Sequence, residues 1–361
     1  MNPHPADAVP VYRVSVAPMM EYTDRHCRYF LRRITRRTLL YTEMITTGAI
    51  IHGDRDYLLG FHPDEHPISL QIGGDDPDAC AESVRLASSY GYDEYNLNVG
   101  CPSDRVQEGA FGACLMADPD RVARIVAAMK SATDKPVTVK HRIGINGRES
   151  YEEMKQFVET VAAAGVDRLI VHARIAVLGG LSPKENRAIP PLRYADVHRL
   201  KRELPHLVIE INGQIGSHEQ MREQLRYVDG VMIGRAAYDN PWLLADVDRA
   251  FYHERRVPLS RAEVIEQMVP YIERYRHETG RHPRAVLRHM LGLFAFQPGT
   301  RRWKQALSGR IDHDVDVVAL LRSATRAIPP QVLGAAGSPG DSSNARSGDR
   351  SADSSRVAVQ R

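Results

Sequence analysis

The sequence predicts a (β/α)8 barrel followed by a small all-helical region and a tail without core residues. Between residues 13 and 257, eight apolar, β-rich runs alternate with helical patterns, a number and length that suit a closed barrel better than an open doubly wound sheet. The turn after the first run reads Ala-Pro-Met-Met-Glu, where a doubly wound nucleotide fold would more often open with Gly-x-Gly-x-x-Gly. From about Pro258 onward only helical periodicity remains.

Strands are expected at 13–17, 39–44, 68–72, 94–99, 137–142, 168–173, 207–211 and 230–233. The run 94–99 alternates polar and apolar residues with period two, and Gly100 and Pro102 end it so that Cys101 sits on a turn. Helices are expected at 78–90, 118–132, 151–164, 194–203 and 217–227. In 118–132, Val122, Ile125, Val126 and Met129 recur at helical spacing, and Asp118 with Pro119 supplies an N-cap and a first-turn proline. Further helices follow at 262–276, 283–293 and 314–327. The expected organisation is an N-terminal tip (1–12), a barrel (13–257), a helical region (258–330) and a disordered tail (331–361) that lacks aromatic residues and has few large aliphatics.

The 361 residues are 43% hydrophobic and 26% charged, as in ordinary soluble proteins. Cys27, Cys80, Cys101 and Cys114 show no CxxC spacing, which argues against a metal site and for a reducing compartment. The first residues lack an apolar segment and no apolar run reaches membrane-spanning length, so a cytoplasmic protein is expected. Net charge is only +3, but 281–310 holds Arg281, Arg284, Arg288, Arg301, Arg302, Lys304 and Arg310 without an acid. Phe294, Phe296 and Trp303 interleave with them, and a second run comprises Arg25, Arg28, Arg32, Arg33, Arg36 and Arg37. A charge run is commonly a solvated face; two of them without acids point to a polyanionic partner.

In a barrel of this kind function gathers at the carboxyl ends of the strands. Those ends carry Pro18, Met19 and Met20; Gln71; Asn98 and Cys101; Lys140 and Arg142; His172 and Arg174; Asn212 and Gly213; and Gly234 and Arg235. The glycine turns after the seventh and eighth strands suit a phosphate, though ordinary βα turns also use glycine. Lys140 reads either as a Schiff-base lysine or as a cation beside a reduced cofactor ring. His172 alone reads equally as a core histidine. Cys80 lies in a helical pattern away from the strand ends and reads as packing.

The segments APMMEYTDRHCRYFLR, YTEM, SLQIGG, NLNVGCPSDRVQEGAFGACLM, VKHRIG, IVHAR, GGLSPKENR, EINGQI, VMIGRAAYDNPWLL and HMLGLF resemble the tRNA-dihydrouridine synthases, more narrowly their A subfamily, from about Val14 to Leu321. The resemblance implies FMN- and NADPH-dependent reduction of uridine to 5,6-dihydrouridine in the D-loop of tRNA, chiefly at positions 20 and 20a. It implies FMN contacts from Pro18, Met19, Met20, Gln71, Lys140, His172, Asn212, Gly213, Gln214, Gly234 and Arg235. Reduced flavin would give hydride to C6 and Cys101 the proton to C5. Asn98, Lys184, Arg187, Arg301 and Lys304 would contact tRNA, with no metal and a monomeric protein. One departure stands out: the family usually has a second glycine where this chain has Gln214, so a positive φ there would strain the turn while keeping its N–H. Rival readings are an FMN barrel acting on a free pyrimidine or other small molecule, a Schiff-base aldolase, and a non-catalytic RNA-binding protein.

Overall fold

The computed structural model describes residues 9–103, 109 and 111–335. Nine parallel segments build the wall: β1 (Val14–Val16), β2 (Leu40–Tyr41), β3 (Ile45–Thr46), β4 (Ile68–Gly73), β5 (Glu94–Val99), β6 (Val137–Arg142), β7 (Arg168–His172), β8 (Ile209–Asn212) and β9 (Gly230–Ile233). Their order is β1-β9-β8-β7-β6-β5-β4-β2, and a parallel bridge between Ser15 and Leu39 brings the ends together. Of the expected second strand, 39–44, only Leu40–Tyr41 forms as a strand; a separate short strand, Ile45–Thr46, follows beyond it, and both pair with β4. Between them the Thr42 hydroxyl takes the N–H of Gln71 at 3.0 Å, so a side chain replaces a rung of the ladder.

The helices begin where side chains can satisfy free N–H groups. Asp118 accepts from the N–H of Arg121 ahead of Pro119–Ser131, and Ser150 with Glu153 forms a capping box ahead of Tyr151–Ala163. Apolar faces such as Val122, Ile125, Val126 and Met129 are fully buried against the wall. The C-terminal helix Arg261–Thr279 starts from a Ser260–Glu263 capping box and stops at Gly280, whose φ is 63°. It packs on the barrel's first helix, Arg25–Ile34, through Tyr271 stacked on Tyr29 at 3.9 Å. Among the described residues no helix is long and apolar enough to cross a membrane.

Three expectations change. The basic run 25–37 is not an open polyanion surface, because its centre lies inside a helix that faces the core. Arg28 is buried and pairs with Glu65 at 2.7 Å, while Arg32 is buried against the carbonyls of Thr35, Thr38, Glu65 and Pro67. Arg33 and Arg37 reach Asp64 and Glu254. The helical region also extends past 330: Pro330–Gly334 is a helical turn whose Val332 and Leu333 pack on the core. Residues 1–8 of the expected tip, and the expected tail from 336 onward, lie outside the described residues. Finally, Cys80 is a core residue but not remote from a strand end, since a side chain at Gly74, just after β4, would meet its Sγ at 3.0 Å.

Candidate active site

Alternation along the strands sorts the barrel interior into levels. At the amino-terminal level, Arg168 pairs with Glu94 at 2.7 Å and Glu210 at 3.0 Å, all three buried. Tyr41, Ser69 and Thr138 donate to Glu94, so the level is filled by a satisfied polar network. At the carboxyl level the register sets Asn98 beside Lys140, Arg142 beside His172, and His172 beside Asn212.

A chain of amides connects these levels to Cys101. Asn96 donates to the Thr138 hydroxyl, Gln71 Nε2 to Asn96 Oδ1, and Asn98 Nδ2 to Gln71 Oε1, each at 2.7–2.8 Å. The remaining oxygen of Asn98 accepts from the N–H groups of Gly100 at 3.1 Å and Cys101 at 2.9 Å. Asn98 thereby fixes the turn that carries the thiol. Arg142 clamps the other side, donating to the carbonyls of Gly100, Ile175 and Asn186 at 2.9–3.0 Å. Cys101 itself is half-buried, its Sγ 3.5 Å from the Ser103 hydroxyl.

Around that turn stand Lys140, Arg142, Arg174, Arg187 and Arg235, none in an ion pair with a carboxylate among the described residues. The Lys140 side chain has no hydrogen-bond partner among them, and burial, then Arg142, pulls its pKa down to about 8. Burial followed by Arg142, Lys140, Arg174 and Arg187 holds the His172 imidazole well below its usual pKa, so the ring is neutral near pH 7. The Nε atoms of Arg174 and Arg187 are buried without a partner. Such a concentration of uncompensated positive charge calls for an anion.

The turn after β8 offers a place for one. Gly213 has φ 136°, and a side chain there would meet Leu192 at 2.9 Å and His172 at 3.3 Å. Gln214 does take the left-handed conformation, at φ 51°. The N–H groups of Gln214 and Ile215 have no partner among the described residues. Gly234 and the exposed Arg235 open the short helix Arg235–Asp239, which has no side-chain cap. Met20 follows β1 with 53% of its surface exposed, next to Pro18 and the part-buried Met19. This arrangement fits a bound flavin mononucleotide: unclaimed N–H groups for a phosphate, an unpaired cation and a neutral imidazole for the polar ring edge, and exposed apolar surface for the ring face.

The structure thus gathers Cys101, Asn98, Gln71, Lys140, His172, Asn212, Gly213, Gln214, Gly234 and Arg235 at one end of the barrel. Arg187 joins them, near enough to Cys101 and Tyr22 to feel both, while Lys184 is exposed on the same loop. Arg301 and Lys304 lie elsewhere, exposed on the helix Thr300–Ser308 of the C-terminal region. Of the interleaved aromatics, Phe294 and Trp303 are core residues in edge contact at 4.9 Å, and only Phe296 is exposed. Two adjoining clefts of about 490 and 540 Å3 on this region share His282 and Arg284 and are otherwise lined by Arg281, Arg288 and Arg310 among others. Arg142 and Arg174 were visible at strand ends, yet their clamping roles depend on carbonyls far along the chain. Tyr22, exposed and in edge contact with Tyr238 at 4.6 Å, carried no sequence signal.

Comparison with known proteins adds the final observation. The family model described as dihydrouridine synthase (Dus) matches residues 15–328. A tRNA-dihydrouridine(20/20a) synthase of Synechocystis sp. is 60% identical over 296 residues, 82% of this chain and 88% of that protein. Those of Vibrio cholerae and Pseudomonas aeruginosa are each 52% identical, over 89% and 90% of this chain and 98% of each relative.

Proposed function

The chain belongs to the dihydrouridine synthase family, and from that premise we propose that it reduces uridine to 5,6-dihydrouridine in the D-loop of tRNA, at positions 20 and 20a. The observation that supports this reading best is the thiol of Cys101 on an amide-fixed turn, among cations that no carboxylate of the described residues pairs with. Bound FMN would supply the hydride that the uracil C6 receives, NADPH being the source of electrons.

The chain's own residues do the rest. Cys101 gives its proton to C5, so that one carbon gains hydride and the other a proton. Asn98 and Arg142 keep the sulfur at one position while the base enters, which is the orientation such a transfer needs. Lys140 places positive charge, and neutral His172 and Gln71 place hydrogen-bond donors, along the polar edge of the flavin ring. Asn212, Gly213, Gln214, Gly234 and Arg235 receive the phosphate through backbone N–H groups and one guanidinium. Pro18, Met19 and Met20 cover the ring face. The uridine must leave its stack to arrive there, and Asn98, Lys184 and Arg187 line its entry.

Residues 13–257 would hold the cofactor, and residues 258–330 would bring phosphate contacts from Arg301 and Lys304. A monomer in the cytoplasm is the expected working form, and four unpaired cysteines agree with a reducing compartment. The test is to purify the protein, record its flavin spectrum, and map dihydrouridine in tRNA treated with it and NADPH. Yellow protein and new dihydrouridine at 20 and 20a are expected. Flavin-bound protein that reduces only a free pyrimidine would overturn the tRNA assignment.

A further inference from the structure

Two successive residues after β8 have positive φ, and only the first is glycine. Gly213 is required, because Leu192 and His172 leave no space for a side chain. At Gln214 the reason for the conformation is different. Left-handed backbone is unfavourable for a residue with a Cβ, so something in the surroundings must hold it. Arg174 binds the side chain of Gln214. Its Nη2 donates to Gln214 Oε1 at 2.8 Å, its Nη1 donates to the Pro190 carbonyl, and its Nε is buried without a partner. The Tyr194 hydroxyl anchors the preceding carbonyl, that of Gly213. The glutamine side chain is thereby tied back to a guanidinium that is itself almost wholly buried, and the N–H groups of Gln214 and Ile215 are left unclaimed.

We propose that Gln214 and Arg174 form a positioning pair: the side-chain amide, held by the guanidinium, locks the phosphate turn in its left-handed shape so that its N–H groups meet the FMN phosphate. The pair does for this chain what a second glycine would do by conformational freedom alone. It differs from such a glycine in coupling the turn to the segment carrying Pro190. This inference rests on the flavin reading above.

The experiment measures binding of FMN and of riboflavin, which lacks the phosphate, to flavin-free protein by fluorescence quenching. Loss of one hydrogen bond to a charged group predicts that Gln214→Ala weakens FMN binding by about tenfold while riboflavin affinity changes little. Gln214→Gly should stay within about threefold of wild type, because glycine adopts the turn unaided. Arg174→Met should resemble Gln214→Ala, and the double variant should lose less than the product of the two, since both remove one interaction. Wild-type FMN affinity in Gln214→Ala, or equal losses for FMN and riboflavin, would overturn the pair and leave the flavin reading intact. Wild-type protein that binds neither flavin would remove the flavin reading, and this pair with it.

Discussion

Because Asn98 accepts from the N–H groups of both Gly100 and Cys101, the turn holds its shape without help from the sulfur. Cys101→Ala should therefore keep its flavin and still be reduced by NADPH, yet form dihydrouridine at least ~100-fold more slowly, the usual scale for losing a positioned acid. Stopped-flow bleaching of the flavin separates the two half-reactions, and wild-type tRNA reduction in this variant would rule out the acid role. Cys80→Ala is the control. Its sulfur is fully buried and its pKa is pushed up to about 12 by burial, so the variant should lose about 1 kcal/mol of stability and no activity. Lys140 gives a prediction in pH. Burial lowers its pKa from 10.5 to about 8, so between those values Lys140 binds more protons in the unfolded chain and its contribution to the stability of the flavin-free protein rises with pH, read as the difference between wild type and Lys140→Met. Affinity for the anionic cofactor should move the opposite way, falling above about pH 8 as the ammonium discharges. Lys140→Met should remove its contribution to both pH dependences and lower flavin occupancy; a variant with wild-type pH dependence would mean that another group titrates.

At the scale of elements, the sequence was legible wherever one face of a strand or helix is apolar and the other is not. The 94–99 and 137–142 strands and the 118–132 helix were read nearly to the residue because periodicity and caps agree there. The helix Arg25–Ile34 was not, since its Arg28 and Arg32 point inward, and arginine reads as surface until a buried partner such as Glu65 is known. The interruption between Leu40–Tyr41 and Ile45–Thr46 was equally hidden, because a hydroxyl standing in for a backbone rung leaves no compositional mark. Arg168 shows what such buried polar groups contribute. It separates Glu94 from Glu210 at the foot of the barrel, and its guanidinium also faces the Tyr12 ring at 4.6 Å. Arg168→Ala would leave two uncompensated carboxylates in the core, at a cost of about 3–5 kcal/mol. Urea unfolding measures this directly, and a midpoint unchanged from wild type would show that the carboxylates find other partners or water.

For the whole molecule, the carboxyl-end rule for parallel barrels was enough to bring most of the candidate residues to one end of the barrel, since it converts strand order into proximity. What it could not reveal was which cations are free. Arg142 and Arg174 are absorbed by carbonyls of distant loops, and in the C-terminal region Arg284 donates to Gly309 while Arg288 pairs with Asp24 at 2.6 Å. The acid-free stretch 281–310 therefore offers fewer open charges than its composition suggests. Arg301 and Lys304 are among those left over: both are exposed on Thr300–Ser308, and neither side chain has a hydrogen-bond or ion-pair partner among the described residues. If each holds one tRNA phosphate, replacing both with alanine should weaken tRNA binding and reduce the slope of log affinity against log salt by about one unit per lost contact. Under the proposed division of labour, in which the barrel alone holds the flavin, oxidation of NADPH with oxygen as acceptor should be untouched. The same substitutions at Arg284 and Arg288 should change folding stability more than the salt slope, as their charges are already engaged within the protein. Titrating wild type and both double variants with tRNA over a salt series decides the matter: an unchanged slope for the Arg301 and Lys304 pair would make that helix a solvated face, and tRNA recognition would have to be sought at the barrel mouth, around Lys184 and Arg187.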